Sequence, residues 1–410
     1  EQQKEAYFAE FIETDASSIF MNAYQNYPLL VGQQTNLYKC VLENGFHWIS
    51  ENGFLGLIHP EGVYDDPNGQ PLRREIYQRL KFHFQFQNAF NLFAEIAHRE
   101  KYGCHVYSGK ISKIDFVSIN NLFQASTIDG CFIHSGNDVC AGIKRKDEAT
   151  NSFVWNLKPH SSRLVRFTEK ELKTLAHAFE GSGNWESAKL VSVHTKEIMS
   201  VLEKLGQFQT SIKDFNPKIT VCWDETNDLN LGNIIRETKY PNIEYFEMIY
   251  SGPHFYVANP LYKTPREVCK EKADYDIVDH CEIDENYVAR TNYIPQNVYG
   301  NYAETIAGPI SKKYEWEEVL IEDVSKKSIK IKKQITISDC WFDYYKIGFR
   351  KMLGQPNERT LFPAILPPKT AHVNGVISCS FGDERRMLEA MSITSSLLLD
   401  FFIKTVGATN

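Results

Sequence analysis

Apolar positions recur at helical spacing near the start of the chain. Residues 5–24 set Tyr7, Phe8, Phe11, Ile12, Ile19 and Phe20 among charged neighbours, and Tyr27-Pro28 ends the pattern. A second helix is predicted from Asn36 through Trp48, with Leu37, Val41 and Phe46 on one side. Glu51-Asn52-Gly53 is a turn, and Phe54 to Ile58 is a short continuous apolar run suited to a buried parallel strand. His59-Pro60 stops that strand. Turn chemistry is dense at Asp65-Asp66-Pro67-Asn68-Gly69, a helix is expected from Leu72 to Leu80, and Phe82-His83-Phe84-Gln85-Phe86 alternates as a strand. Another strand fits Tyr102 to Tyr107. The order belongs to an open α/β sheet, with residues 36–107 expected as consecutive neighbours in a mostly parallel arrangement.

Beyond about Ile128 the α/β rhythm gives way to short strand-like runs and turns. Helices are predicted at Thr168–Phe179 and near Ser187–Leu205. From Gln207 to Pro368 the chain is rich in Pro, Asn and Tyr, which fits a β-rich domain. Ser328-Ile329-Lys330-Ile331-Lys332 reads as a half-exposed strand, and Met387 to Thr405 as one strongly apolar helix. The expected organisation is residues 1–127, a helical connector 128–206, and a second domain 207–410.

Composition changes this picture little. At 410 residues, with 42% hydrophobic and 24% charged positions, the chain has ordinary globular composition and room for more than one core. A net charge of −7 argues against a uniformly basic DNA-coating protein, although only the face lining a cleft must be positive. The basic runs Lys144-Arg145-Lys146, Arg163 to Arg166 and Lys326 to Lys333 read as solvated surface. Nine scattered cysteines without a Cys-x-x-Cys pair point to reduced thiols in a cytoplasmic protein. Cys131, His134 and Cys140, or His280-Cys281 with Cys269, supply no four-ligand set at familiar spacing, so no metal is expected. No apolar run is long enough to cross a bilayer. Glu1 is not a natural start and the last helix stops without a cap, so both ends are expected to be cut.

Two groups of segments carry a resemblance. Asn36-Leu37-Tyr38, then Gly53-Phe54-Leu55-Gly56-Leu57-Ile58-His59-Pro60, Leu72-Arg73, Phe93 and the strand to Tyr107 resemble the second half of the catalytic domain of adenine-specific DNA methyltransferases. The string from Tyr250-Ser251-Gly252-Pro253-His254 to Lys263-Thr264-Pro265-Arg266 is followed by Tyr287 to Tyr293, Phe349-Arg350, Glu358-Arg359-Thr360, Ile365-Leu366-Pro367-Pro368 and Ala371-His372. These resemble the target-recognition region of large methyltransferases from bifunctional restriction–modification and phage-exclusion systems. The resemblance covers nearly the whole chain. It implies an α/β domain followed by an α+β one: the second half of a Rossmann-like methyltransferase sheet, then a β-rich target-recognition domain.

The resemblance also implies S-adenosylmethionine as methyl donor and double-stranded DNA as partner, with other restriction or defence subunits as further partners. The family's Gly-containing cofactor loop and its Asn-Pro-Pro-aromatic loop are missing. Asn259-Pro260-Leu261-Tyr262 lacks the second proline and lies far downstream of the Asn-Leu-Tyr helix. Both loops are therefore expected before Glu1, no catalytic residue is expected in this span, and the fragment alone is expected to be inactive. Such enzymes swing the target base out of the duplex and stack it on aromatics. By resemblance Phe93 faces that base, Pro60 shapes the pocket floor, and Asn36 and Tyr38 stand near the cofactor. Arg290 and Asn292 are the leading candidates to read base edges, with Lys263 and Arg266 as phosphate contacts and Arg236, Arg350 and Arg359 as weaker candidates. A non-catalytic DNA-recognition subunit of a defence complex is the alternative; a nuclease finds no acid–acid–lysine spacing.

Overall fold

The computed structural model describes residues 1–181, 183–208, 210–242, 247–271, 273–296, 309–322, 328–352, 354 and 357–406, with backbone alone for 309–322, 328–341 and 406. The chain divides into two compact units, 1–209 and 210–410.

The first unit opens with helix α1 (Gln2–Asn22), which buries none of its residues. Helix α2 (Leu37–Trp48) begins at Asn36, whose side chain accepts from the Tyr38 amide and so satisfies one of the free donors of the first turn. Strand β1 (Phe54–Pro60) follows, then α3 (Gln70–Tyr77), β2 (Leu80–Gln87), β3 (Lys101–Ser108) and β4 (Asp115–Leu122). After α4 (Ser126–Ile133) and the small pair β5 (Lys144–Lys146) and β6 (Phe153–Trp155), strand β7 (Val165–Thr168) returns to the sheet. A Thr168–Glu171 capping box then opens α5 (Glu169–Leu175), and α6 (Lys196–Leu205) closes the unit.

The five-stranded sheet runs β1-β3-β2-β4-β7. Strands β1 and β2 both pair antiparallel with β3, β2 pairs parallel with β4, and β4 pairs antiparallel with β7. The mostly parallel sheet expected from sequence is therefore corrected to a mixed one. The crossover through α3 does make β1 and β2 run the same way, as a βαβ connection requires, but β3 returns from β2 as a long hairpin arm and inserts between them. Strands β4 and β7 were not anticipated; Ser118 and Asn120 on the buried side of β4 broke the apolar signal.

Residues 128–206 stand in this same unit rather than apart from it. They supply β7, and the stretch after Ser187 runs beside α3, where Arg73 Nε donates to the Ser187 carbonyl at 2.9 Å and Tyr77 donates its hydroxyl to the Ala188 carbonyl at 2.6 Å. The helix expected from Ser187 therefore starts only at Lys196. Arg163, expected at the surface, is fully buried and donates to the carbonyls of Lys158, Asn120 and Asn121. Phe86, Tyr102, Ile119, Leu122 and Cys131 form an apolar core on one face of the sheet.

The second unit is β-rich. Its largest sheet is antiparallel, in the order Pro363–Leu366, Lys346–Arg350, Val376–Ser380, Lys218–Thr220. Met248, Tyr250, Phe255, Ala289, Ala364, Leu366 and Val376 pack together against it. The strands Pro309–Glu322 and Ser328–Cys340 pair as a long antiparallel hairpin. The expected strand at 328–332 is thus present, while its exposure, and Lys326 and Lys327 of the basic run, lie outside the described residues. The apolar C-terminal segment is two helices, Glu384–Thr394 and Leu397–Val406, rather than one. Ser395 and Ser396 separate them: Ser396 Oγ accepts from the Leu399 amide as a new cap, and Arg359 donates to the Ser395 carbonyl.

Candidate functional site

The carboxyl ends of β1, β2 and β4 lie at one edge of the first unit's sheet, where open α/β sheets place ligands. Alternation along each strand turns polar side chains to one face. Across the strands one row reads Leu57, His105, His83, Ser118, and the next reads His59, Gly103, Gln85. All three histidines are buried.

Directly after Pro60, Glu61 reaches back over this face. Its carboxylate lies 2.9 Å from His83 Nε2, accepts from Gln85 Nε2 at 3.1 Å, and is 3.4 Å from His105 Nε2. His83 Nδ1 is 2.8 Å from Ser118 Oγ, which accepts from Asn120. His59 stacks on His105 with ring centres 3.8 Å apart and is covered from the other side by Tyr38 at 5.6 Å. Its Nδ1 donates to the Pro60 carbonyl and its Nε2 accepts from the Tyr107 hydroxyl, both at 2.8 Å, which leaves the ring neutral.

The electrostatics follow from this packing. Burial first, then the neighbouring His105 charge, drive His59 down to about 3. Burial alone would raise the Glu61 carboxyl, but the His83 and His105 imidazoles outweigh it and hold the group well below the usual carboxylate range. Burial, followed by the charges of Asp65, Asp66 and Glu61, pushes the Tyr38 phenol up.

The residues expected around a base pocket are at this edge, in differing states. Asn36 is committed to its cap and Tyr38 to the His59 stack. Pro60 ends β1 opposite Tyr102 and is exposed. Phe93 lies in the arm between β2 and β3, 39% exposed and edge-on to Tyr102 at 4.9 Å. The arm is stapled by Asn88, fully buried, which accepts from the Phe93 amide and donates to the carbonyls of Phe93 and Ile96. Phe90, Leu92 and Ile96 on the same arm are also exposed.

Sequence reasoning missed the His59–Glu61–His83–His105 cluster. The available signal was one histidine on each of the three strands, at positions 59, 83 and 105. Of the cysteine–histidine groups weighed earlier, His134 instead approaches Asp138 at 3.5 Å, and His160 approaches the same carboxylate at 3.3 Å. His280 contacts Asn259.

In the second unit, four of the expected DNA-contacting cations gather around the hairpin Lys263–Pro265/Tyr275–Ile277. Arg290 lies over Tyr240 with Pro265 and Glu267 beside it, Arg236 donates to the Lys270 carbonyl, Arg266 pairs with Asp276 at 2.8 Å, and Lys263 lies over Tyr262. The Arg290 backbone is fixed by buried His254, whose Nε2 donates to its carbonyl at 2.9 Å. Asn292 is 2% exposed and accepts from the Thr238 hydroxyl, so its carboxamide is an internal brace and presents no edge to a groove. Arg359 is bound to Asp400 and the Ser395 carbonyl, and Arg350 lies over Phe362; neither joins the hairpin group. Asn259 Oδ1 accepts from the Leu261 amide, so the near-miss Asn-Pro-Leu-Tyr sequence is a local turn.

No family model and no curated protein matches the chain. Among solved structures it is similar to the crystal structure of the type I restriction enzyme EcoKI M protein, M.EcoKI (EC 2.1.1.72), with a TM-score of 0.25 and 11% identity over 43% of this chain. The likeness spans 42% of that structure's chain, less than half its length.

Proposed function

We propose that this chain supplies the target-base pocket and the DNA-reading module of an S-adenosylmethionine-dependent, adenine-specific DNA methyltransferase acting in restriction–modification or phage defence. The observation that carries this reading is the open side of the first unit's sheet. Strand β1 has the continuous apolar sequence of an interior parallel strand, yet it lies at the sheet edge, with Phe54 73% and Ile58 61% exposed. Leu37, Val41 and Trp48 of α2 are exposed too. A row of unpaired backbone groups beside apolar side chains calls for further strands. We assign to those strands the cofactor loop and the Asn-Pro-Pro-aromatic loop, which the resemblance sets upstream of the Asn36-Leu37-Tyr38 helix.

The residues present do not themselves make a cofactor cradle: the Asn36 oxygen is used in its cap and the Tyr38 ring is covered by His59. What they supply is the rim. Phe93, on an arm pinned by Asn88, offers a partly exposed ring against which an unstacked base can lie. In the second unit Arg290, Lys263, Arg266 and Arg236 are the retained DNA contacts, Arg350 a secondary one; Asn292 and Arg359 are withdrawn because both are internally engaged.

Methyl transfer to duplex DNA tests this. The chain alone is expected to transfer no methyl group, and the chain joined to the segment completing the sheet is expected to modify adenines. Specific DNA binding without any modification by the completed protein would favour the recognition-subunit alternative.

A further inference from the structure

We propose that Glu61, His83 and His105 form a binding site for a divalent first-row transition-metal ion, through one carboxylate and two imidazoles. Their ligand atoms all lie within 4.8 Å of one another. Hydrogen bonding accounts for only part of the cluster. Asn120 donates to Ser118, Ser118 meets His83 Nδ1, and His83 Nε2 meets one Glu61 oxygen. That leaves the other Glu61 oxygen and Nε2 of the fully buried His105, 3.4 Å apart, without a well-formed hydrogen bond. Such groups are costly to bury unless something else satisfies them.

The spacing fits an ion. Ligands bound at about 2.0–2.1 Å in a tetrahedron stand roughly 3.3 Å apart, and His105 Nε2 is 3.4 Å from Glu61 Oε1. Loading widens the 2.9 Å contact between His83 and Glu61 toward the same edge length. The surroundings are those of a ligand set held from behind. Ser118 can accept from His83 Nδ1 and so turn the Nε2 lone pair inward, while Gln85 holds the Glu61 carboxylate. Gly103 leaves the space: a Cβ there would lie 2.3 Å from Glu61 Oε1 and 2.5 Å from His105 Nε2. Two nitrogen donors and one oxygen favour zinc or iron(II) over magnesium or calcium. Such an ion would tie the turn after β1 to β2 and β3 beneath the rim, independently of the methyltransferase reading.

The second histidine–carboxylate group does not compete. His134 Nδ1 accepts from the Gly136 amide and His160 Nδ1 from the Ser162 amide. Both rings therefore carry their proton on Nε2, the atom facing Asp138, and have no lone pair to offer there.

The test is titration of the chelator-stripped chain with Zn²⁺ by calorimetry, and with Co²⁺ by visible absorption. One equivalent per chain is expected, with cobalt bands of nitrogen and oxygen ligation in the wild type. Saturable binding should be lost in Glu61→Gln and His105→Gln, weakened roughly 10–100-fold in Ser118→Ala, and unchanged in His134→Ala. Absence of saturable binding would overturn the site, as would intense thiolate bands, retention of binding in a folded Glu61→Gln, or its loss in His134→Ala. The wild-type cobalt spectrum keeps the outcome decisive where a buried variant does not fold.

Discussion

Arg290, proposed here as a DNA-reading residue, is both anchored and available. Its backbone is bonded on each side, by His254 and Thr264, while its guanidinium lies across Tyr240 with 22% of the side chain exposed. The weak, exposed partner Glu267 can be exchanged for a base edge or a phosphate at little cost. Arg290→Ala in the completed enzyme should lower methylation of the cognate sequence far more than it weakens nonspecific binding. Equal losses on all sequences would reassign it to backbone contact or folding. Lys263→Ala should reduce the salt dependence of DNA binding by about one unit of slope, and an unchanged slope would remove Lys263 from the phosphate contacts. His372 behaves differently. It is fully buried, and burial drives it down to about 3. Its neutral state therefore contributes stability that is complete above the unfolded value of about 6.5. As pH falls from there toward 3 the unfolded chain binds the proton first, and that stability is lost. Protection factors at Val376–Ser380, corrected for the intrinsic pH dependence of exchange, should fall across this window, and less steeply in His372→Gln.

At the scale of elements, most of the first unit was legible because its periods are clean. The helix after Asn36 and the alternation at Phe82–Phe86 became the elements their spacing implied, whereas the apolar run from Phe54 became an exposed edge strand paired antiparallel instead of the buried parallel strand expected. What local pattern could not show was the insertion of β3 between β1 and β2, since pairing order is decided by contacts distant in sequence. Polar side chains on a buried face hid β4 for the same reason that they concealed the site: their partners are remote in sequence, as where Asn120 Nδ2 donates to the Val193 carbonyl, 73 residues away. The C-terminal break was missed because two serines inside an apolar stretch read as tolerated rather than as caps. The arm carrying Phe93 makes a direct prediction. Asn88→Ala removes three hydrogen bonds from a fully buried position and should destabilise the arm by about 1–3 kcal/mol. Proteolysis should then cut between residues 88 and 100 well before the sheet unfolds; uniform loss of resistance would mean that Asn88 supports the whole unit.

The whole molecule presents two compact units with different tasks in this account, and the first of them leaves an apolar sheet edge uncovered. Such an edge promotes association with other strands. Ile58→Lys should reduce self-association of this chain in light scattering while leaving its circular dichroism unchanged, because the side chain has little to lose in the fold as it stands. In the completed protein the same change should impair folding, since the edge is then covered. The measurement that most directly tests the central claim is sequencing-based mapping of modified adenines in DNA incubated with S-adenosylmethionine and the chain joined to its sheet-completing segment. The account predicts methylated adenine within one defined sequence, and none with the chain alone. Unmodified DNA, or methylation scattered without regard to sequence, would contradict it.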